Sequence, residues 1–87
     1  MNNARRKKIA SIKSKVEDLA STLEELKSEL EEVRDEEQEA FDNLPEGIQM
    51  SERGETMEAA VDALDEAISA MEDVDFSPIT DAIDEVE

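Results

Sequence analysis

Residues 9–33 read IASIKSKVEDLASTLEELKSELEEV. Their long aliphatics stand at Ile9, Ile12, Val16, Leu19, Leu23, Leu26, Leu30 and Val33, a 3-4-3-4-3-4-3 spacing that fills every a and d heptad position. Glu37 breaks the series, and Ala40, Phe41 and Leu44 continue it with a wider face. Neither glycine nor proline occurs between Asn3 and Asn43, so the spacing predicts one helix over 4–42. Such a helix is roughly 57 Å long. Ser14, Ser21 and Ser28 recur at the outer f positions, a heptad repeat and not a domain repeat.

Downstream, Asn43-Leu44-Pro45-Glu46-Gly47 ends that helix, because Pro45 biases Leu44 away from helical angles and Gly47 permits a turn. A turn over 43–51 is expected, then a helix over 52–73 with Ser51 as its N-cap. Met57, Val61, Leu64, Ile68 and Met71 again run 4-3-4-3, flanked by Ala60, Ala67 and Val74. Ser77-Pro78 reads as N-cap and first residue of a short helix over 78–86, with Ile79, Ala82, Ile83 and Val86 on one face. The expected fold is all-α in a single domain: a long coiled-coil helix, a second helix folded back on it as a hairpin, and a short C-terminal helix. Its expected core is Ile12, Val16, Leu19, Leu23, Leu26, Leu30, Val33, Phe41, Leu64, Ile68 and Met71.

The 87 residues allow one small domain, and 19 of them are Leu, Ile, Val or Phe, near the level at which chains stop folding. There is no Cys, His, Trp or Tyr, which excludes a disulfide scaffold and a thiolate metal site. The lack of Cys is compatible with a reducing cytosol. No apolar run is long enough for a membrane span, and the basic start leads into amphipathic sequence where a signal peptide would be continuously apolar. Charge is laid out steeply. Residues 1–15 hold Arg5, Arg6, Lys7, Lys8, Lys13 and Lys15 without an acid, whereas all 26 acids follow, against Lys27, Arg34 and Arg53. Bases at the start and acids at the end of the first helix oppose its macrodipole.

The second helix is too short to cover the whole heptad seam. Leaving its aliphatics wet forgoes on the order of 1 kcal/mol each. A homodimer joined along Ile9, Ile12, Val16, Leu19, Leu23, Leu26, Leu30 and Val33 is therefore expected, giving a four-helix arrangement. A parallel zipper would set Lys8 against Lys13 of its mate, with Glu29–Arg34 as its one good pair. An antiparallel pairing centred near Thr22 sets Lys8 opposite Glu36 and Lys15 opposite Glu29, though Lys13 then lies near Lys27. The antiparallel form answers the macrodipole conflict and is preferred, and the polarity stays open.

Catalysis finds little to work with, since His, Cys and Tyr are missing and paired carboxylates need a pocket that splits their pKa values. No enzyme activity and no cofactor are expected. Asp73, Asp75, Ser77, Asp81 and Asp84 mimic the ligand spacing of a calcium loop, but Pro78 occupies the glycine position and Asp84 stands where a bidentate Glu belongs, so no metal site is assigned. A basic zipper requires several helical turns of bases before the first heptad, and here only Arg5–Lys8 precede Ile9. A net charge of −17 repels phosphates, so direct nucleic-acid binding is not expected, nor is membrane binding.

The acidic faces are the informative feature. Glu24 and Glu31 can pair with Lys27 and Arg34, but Glu25–Glu29 and Glu32–Glu36 are like-charge i,i+4 pairs, each costing a few tenths of a kcal/mol. The candidate contact surface is Glu25, Glu29, Glu32, Glu36 and Glu39 on the first helix, with Glu58, Asp62, Asp65, Glu66, Glu72 and Asp73 on the second. Carboxylates at i,i+3 or i,i+4 lie about 5–6 Å apart, near the spacing of successive phosphates on one strand. Rows of them on a rigid helix can stand in for a duplex on a basic, nucleic-acid-binding protein surface. The alternative is a structural or assembly coiled coil whose acidity serves solubility.

The stretch EQEAFDNLPEGIQMSERGE over 37–55, followed by MEAAVDALDEAI over 57–68, resembles small acidic helical proteins of phages and prophages. The resemblance covers roughly residues 30–70, with the turn 43–53 as its least generic part. It brings no assigned activity and no functional residues. It implies a phage-type product acting in bacterial host cytoplasm, among proteins that often inhibit host defence, anti-restriction and anti-CRISPR proteins included.

Overall fold

The computed structural model describes residues 1–86, which are all-helical with no strand among them. Helix α1 spans Asn3–Asp42, α2 Glu46–Gln49, α3 Glu52–Glu72 and α4 Ser77–Val86. The three longer helices begin and end within one residue of the expected bounds. Helix α2 is new. It lies inside the expected turn, where Ile48 and Gln49 N–H both donate to the Pro45 carbonyl at 2.8 and 3.0 Å. Four residues are too few to show a period, so nothing in the spacing announces this turn of helix. Gly47 belongs to it and no glycine among the described residues has a positive φ, so the turn does not rest on the conformational freedom of Gly47.

The chain divides into two compact units, Met1–Glu25 with the stretch from Val74 on, and Leu26–Asp73. Helix α1 runs through both. In the first unit, the Lys13 ammonium donates to the Asp84 carboxylate of α4. Ser77, read as an N-cap, is instead the first residue of α4, and its N–H donates to the Asp75 carboxylate at 2.9 Å. The Ser77 N–H first, and its hydroxyl second, hold the Asp75 carboxyl below the ordinary carboxylate range.

The second unit is organised around Gln49. Its side-chain amide donates to the Phe41 carbonyl at 3.1 Å and to the Asp42 carbonyl at 3.4 Å, so it satisfies orphan acceptors at the end of α1. Its backbone meanwhile abuts buried Gly54 in the first turn of α3, where a Cβ would come within 2.0 Å of the Gln49 carbonyl oxygen. Ser51 holds the N-cap position with an extended backbone, but its hydroxyl donates back to the Ile48 carbonyl and not forward into α3.

The apolar core is small. Among the described residues Val61 and Ile68 of α3 are the buried hydrophobics. Of the expected core, only Ile68 is buried, and Val61 joins it. The eight seam residues separate into two rows. The a row, Ile9, Val16, Leu23 and Leu30, is half-buried together with Lys13, Ala20, Lys27 and Arg34 of the neighbouring e row. The d row is open: Ile12, Leu19, Leu26 and Val33 are 49, 56, 44 and 49% exposed. Core burial of Ile12, Leu19, Leu26 and Val33 requires a partner against them, and the single chain leaves them about half exposed.

Candidate functional site: the acidic faces

Heptad spacing puts Glu25, Glu32 and Glu39 on one line of α1, with Glu29 and Glu36 on the next. All five are exposed. Glu25 belongs to the first compact unit and the other four to the second. On α3 and just beyond it, Glu58, Asp62, Glu66, Glu72 and Asp73 are exposed as well, all in the second unit.

Asp65 is the exception. Its Oδ1 accepts from Arg34 Nη1 at 2.9 Å, while Arg34 Nε and Nη2 reach Asp35 Oδ1 at 3.1 and 3.0 Å. Arg34 therefore pairs with Asp35 and Asp65 rather than with Glu31 one helical turn back. The bond to Asp65 first, and that to Asp35 second, push the guanidinium pKa above its ordinary value. Asp65 thus has an internal role as the counter-charge of Arg34. Sequence reasoning missed both anchors of this kind, Arg34 for α3 and Lys13 for α4. The available signal was a base on the flank of an apolar row, together with a helix α4 that carries acids and no base and a helix α3 whose one base, Arg53, stands at its start.

A notch of about 300 Å³ lies within the second unit, lined by Gln38, Phe41, Glu58, Val61 and Asp62. It brings two candidate residues, Glu58 and Asp62, to the same notch as Phe41. Asp75 and Asp84, two members of the calcium-like spacing, have other uses: one accepts from Ser77 and the other from Lys13. Among the described residues, no group of three His, Cys, Asp or Glu side chains is arranged to hold a metal ion. No described helix is long and apolar enough to cross a membrane.

At a net charge of −17, repulsion among these carboxylates is expected to outweigh exposed ion pairs, each of little value in water. Sodium chloride should therefore stabilise the fold by screening. Between low and physiological ionic strength the melting temperature followed by circular dichroism should rise by about 4–8 °C, the response to about 1 kcal/mol in a domain of this size. A fall would mean that pairs such as Lys13–Asp84 and Arg34–Asp65 dominate.

Compared with protein-family models, with curated proteins and with solved structures, the chain matches none of them.

Proposed function

We propose that the chain is a small acidic inhibitor of phage type that occupies a basic surface on a nucleic-acid-handling host protein, in the manner of an anti-restriction or anti-CRISPR protein. The observation that supports this most directly is the exposure of Glu29, Glu32, Glu36 and Glu39 on α1 and of Glu58, Asp62 and Glu66 on α3. Like-charge neighbours weaken the helix that bears them, and they gain a purpose when a cationic partner covers them. The reading needs no cofactor, no catalytic step, and no direct contact with nucleic acid or membrane. Its setting is the bacterial cytoplasm. In the assembled form, α3 folds back beside the C-terminal part of α1 as a hairpin, and two hairpins join into a dimeric four-helix arrangement.

Association through such rows is fast and sensitive to salt. Duplex DNA or RNA should compete with the chain for its partner. The combined variant Glu32→Lys, Glu36→Lys, Asp62→Lys and Glu66→Lys should lose binding while remaining helical. The measurement is capture from bacterial lysate followed by titration of the captured protein with parent and variant. Recovery of a defence nuclease or DNA-binding protein, lost with the variant, supports inhibition. Equal binding by the variant rules out mimicry. The second reading, a structural or assembly coiled coil, draws on the exposed d row of α1 and predicts virion or scaffold proteins in the same capture.

A further inference from the structure

The open d row of α1 is flanked on one side by the half-covered a row and on the other by the g row. The g row runs Lys8, Lys15, Thr22, Glu29, Glu36, changing from basic to acidic about its midpoint. A strip with that gradient complements a copy of itself only when the copy is reversed. We infer that a second copy of this chain docks antiparallel along Ile12, Leu19, Leu26 and Val33, with Lys8 and Lys15 facing the partner's Glu36 and Glu29. The inference rests on the self-association proposed above and commits to the polarity that the sequence left open.

Two observations carry it beyond charge pattern. In this register the e rows also meet, and Lys13 lies near the partner's Lys27 while Arg6 lies near the partner's Arg34. For bare helices that is repulsive. Here Lys13 is bonded to Asp84 and Arg34 to Asp65 and Asp35, so at least one member of each approach already carries its own counter-charge. The same bonds weaken the parallel alternative. Its one favourable pair, Glu29 with the partner's Arg34, would have to compete with the two acids that Arg34 already engages. Its leading contact, Lys8 with the partner's Lys13, is eased by the same Lys13–Asp84 bond and so does not separate the two forms; the reversed g row does. In the antiparallel register each d residue meets an a residue: Ile12 the partner's Leu30, Leu19 the partner's Leu23. The a row remains partly accessible, as that requires.

Sedimentation at tens of micromolar provides the test. The parent should be a dimer. Lys8→Glu with Lys15→Glu, and separately Glu29→Lys with Glu36→Lys, should each self-associate at least roughly tenfold more weakly. An equimolar mixture of the two should recover dimer, because every g contact between them is again opposite in sign. A parallel dimer predicts the reverse for the first variant, since Lys8→Glu would relieve its Lys8–Lys13 clash and tighten it. Should a charge variant lose its helicity, cross-linking decides. Cysteine is absent from the chain, so Thr22→Cys should link across the two-fold axis under mild oxidation, while Ile12→Cys should not. Linking of Ile12→Cys alone, or tighter self-association by the Lys8→Glu variant, overturns the antiparallel form and leaves the dimer standing. A monomeric parent overturns both.

Discussion

Gly54→Ala is expected to destabilise the chain by about 1–3 kcal/mol, the range for forcing an atom into a closed contact. The new methyl would sit 2.0 Å from the Gln49 carbonyl oxygen and 2.5 Å from its carbon, and neither backbone atom can swing aside as a side chain would. Gln49 must move, and with it the amide that caps Phe41 and Asp42 at the end of α1. The damage therefore reaches two helix ends from one added carbon. Gly47→Ala is the matched control. Nothing lies within 4 Å of its Cβ position and its backbone is already helical, so alanine there should add about 0.4–1 kcal/mol. Urea unfolding of the two variants beside the parent measures both signs. Equal midpoints would mean that the contact between α2 and α3 yields without strain.

Leu26→Asp and Leu23→Asp should separate assembly from folding. Leu26 lies in the open d row at 44% exposure, whereas Leu23 is half-buried in the a row. A carboxylate at position 26 meets water in the single chain and meets apolar side chains only in a dimer. Leu26→Asp should thus yield a monomer that keeps its helicity. Leu23→Asp places the charge on the covered face and should cost more than about 2 kcal/mol of folding stability besides preventing association. Sedimentation and circular dichroism on the same samples resolve the two effects. A dimeric Leu26→Asp would show that the d row is not the joining surface.

The long helix was legible because its 3-4 spacing is unbroken from Ile9 to Val33, with no helix breaker before Asn43. The inward face was not. Coiled-coil spacing treats a and d as one seam, but a helix packed by its own chain can turn through the angle of one position and cover a and e instead. Lys13, Lys27 and Arg34 hide that choice in the sequence, since charged side chains do not read as an inner face until their partners are known. For Lys13 and Arg34, Asp84 and Asp65 supply those partners from helices distant in sequence. The candidate acidic residues are exposed, Asp65 apart. Their row on α1 follows from heptad position alone, whereas the use of Asp65 as a counter-charge depends on where α3 returns. Gly54 was equally silent, because a glycine required by close backbone approach looks like any other isolated glycine.

The f positions Ser14, Ser21 and Ser28 are exposed, on a side of α1 that neither the a and e rows nor the open d row occupies. Each is separated from the next by two helical turns, about 10.5 Å. They form a built-in ruler for spectroscopy, because a nitroxide or fluorophore attached there perturbs neither neighbour. In a dimer of reversed copies, labels at Ser21 would stand at the level of the symmetry axis on opposite outer sides, and those at Ser14 or Ser28 would lie at opposite ends of the shared strip.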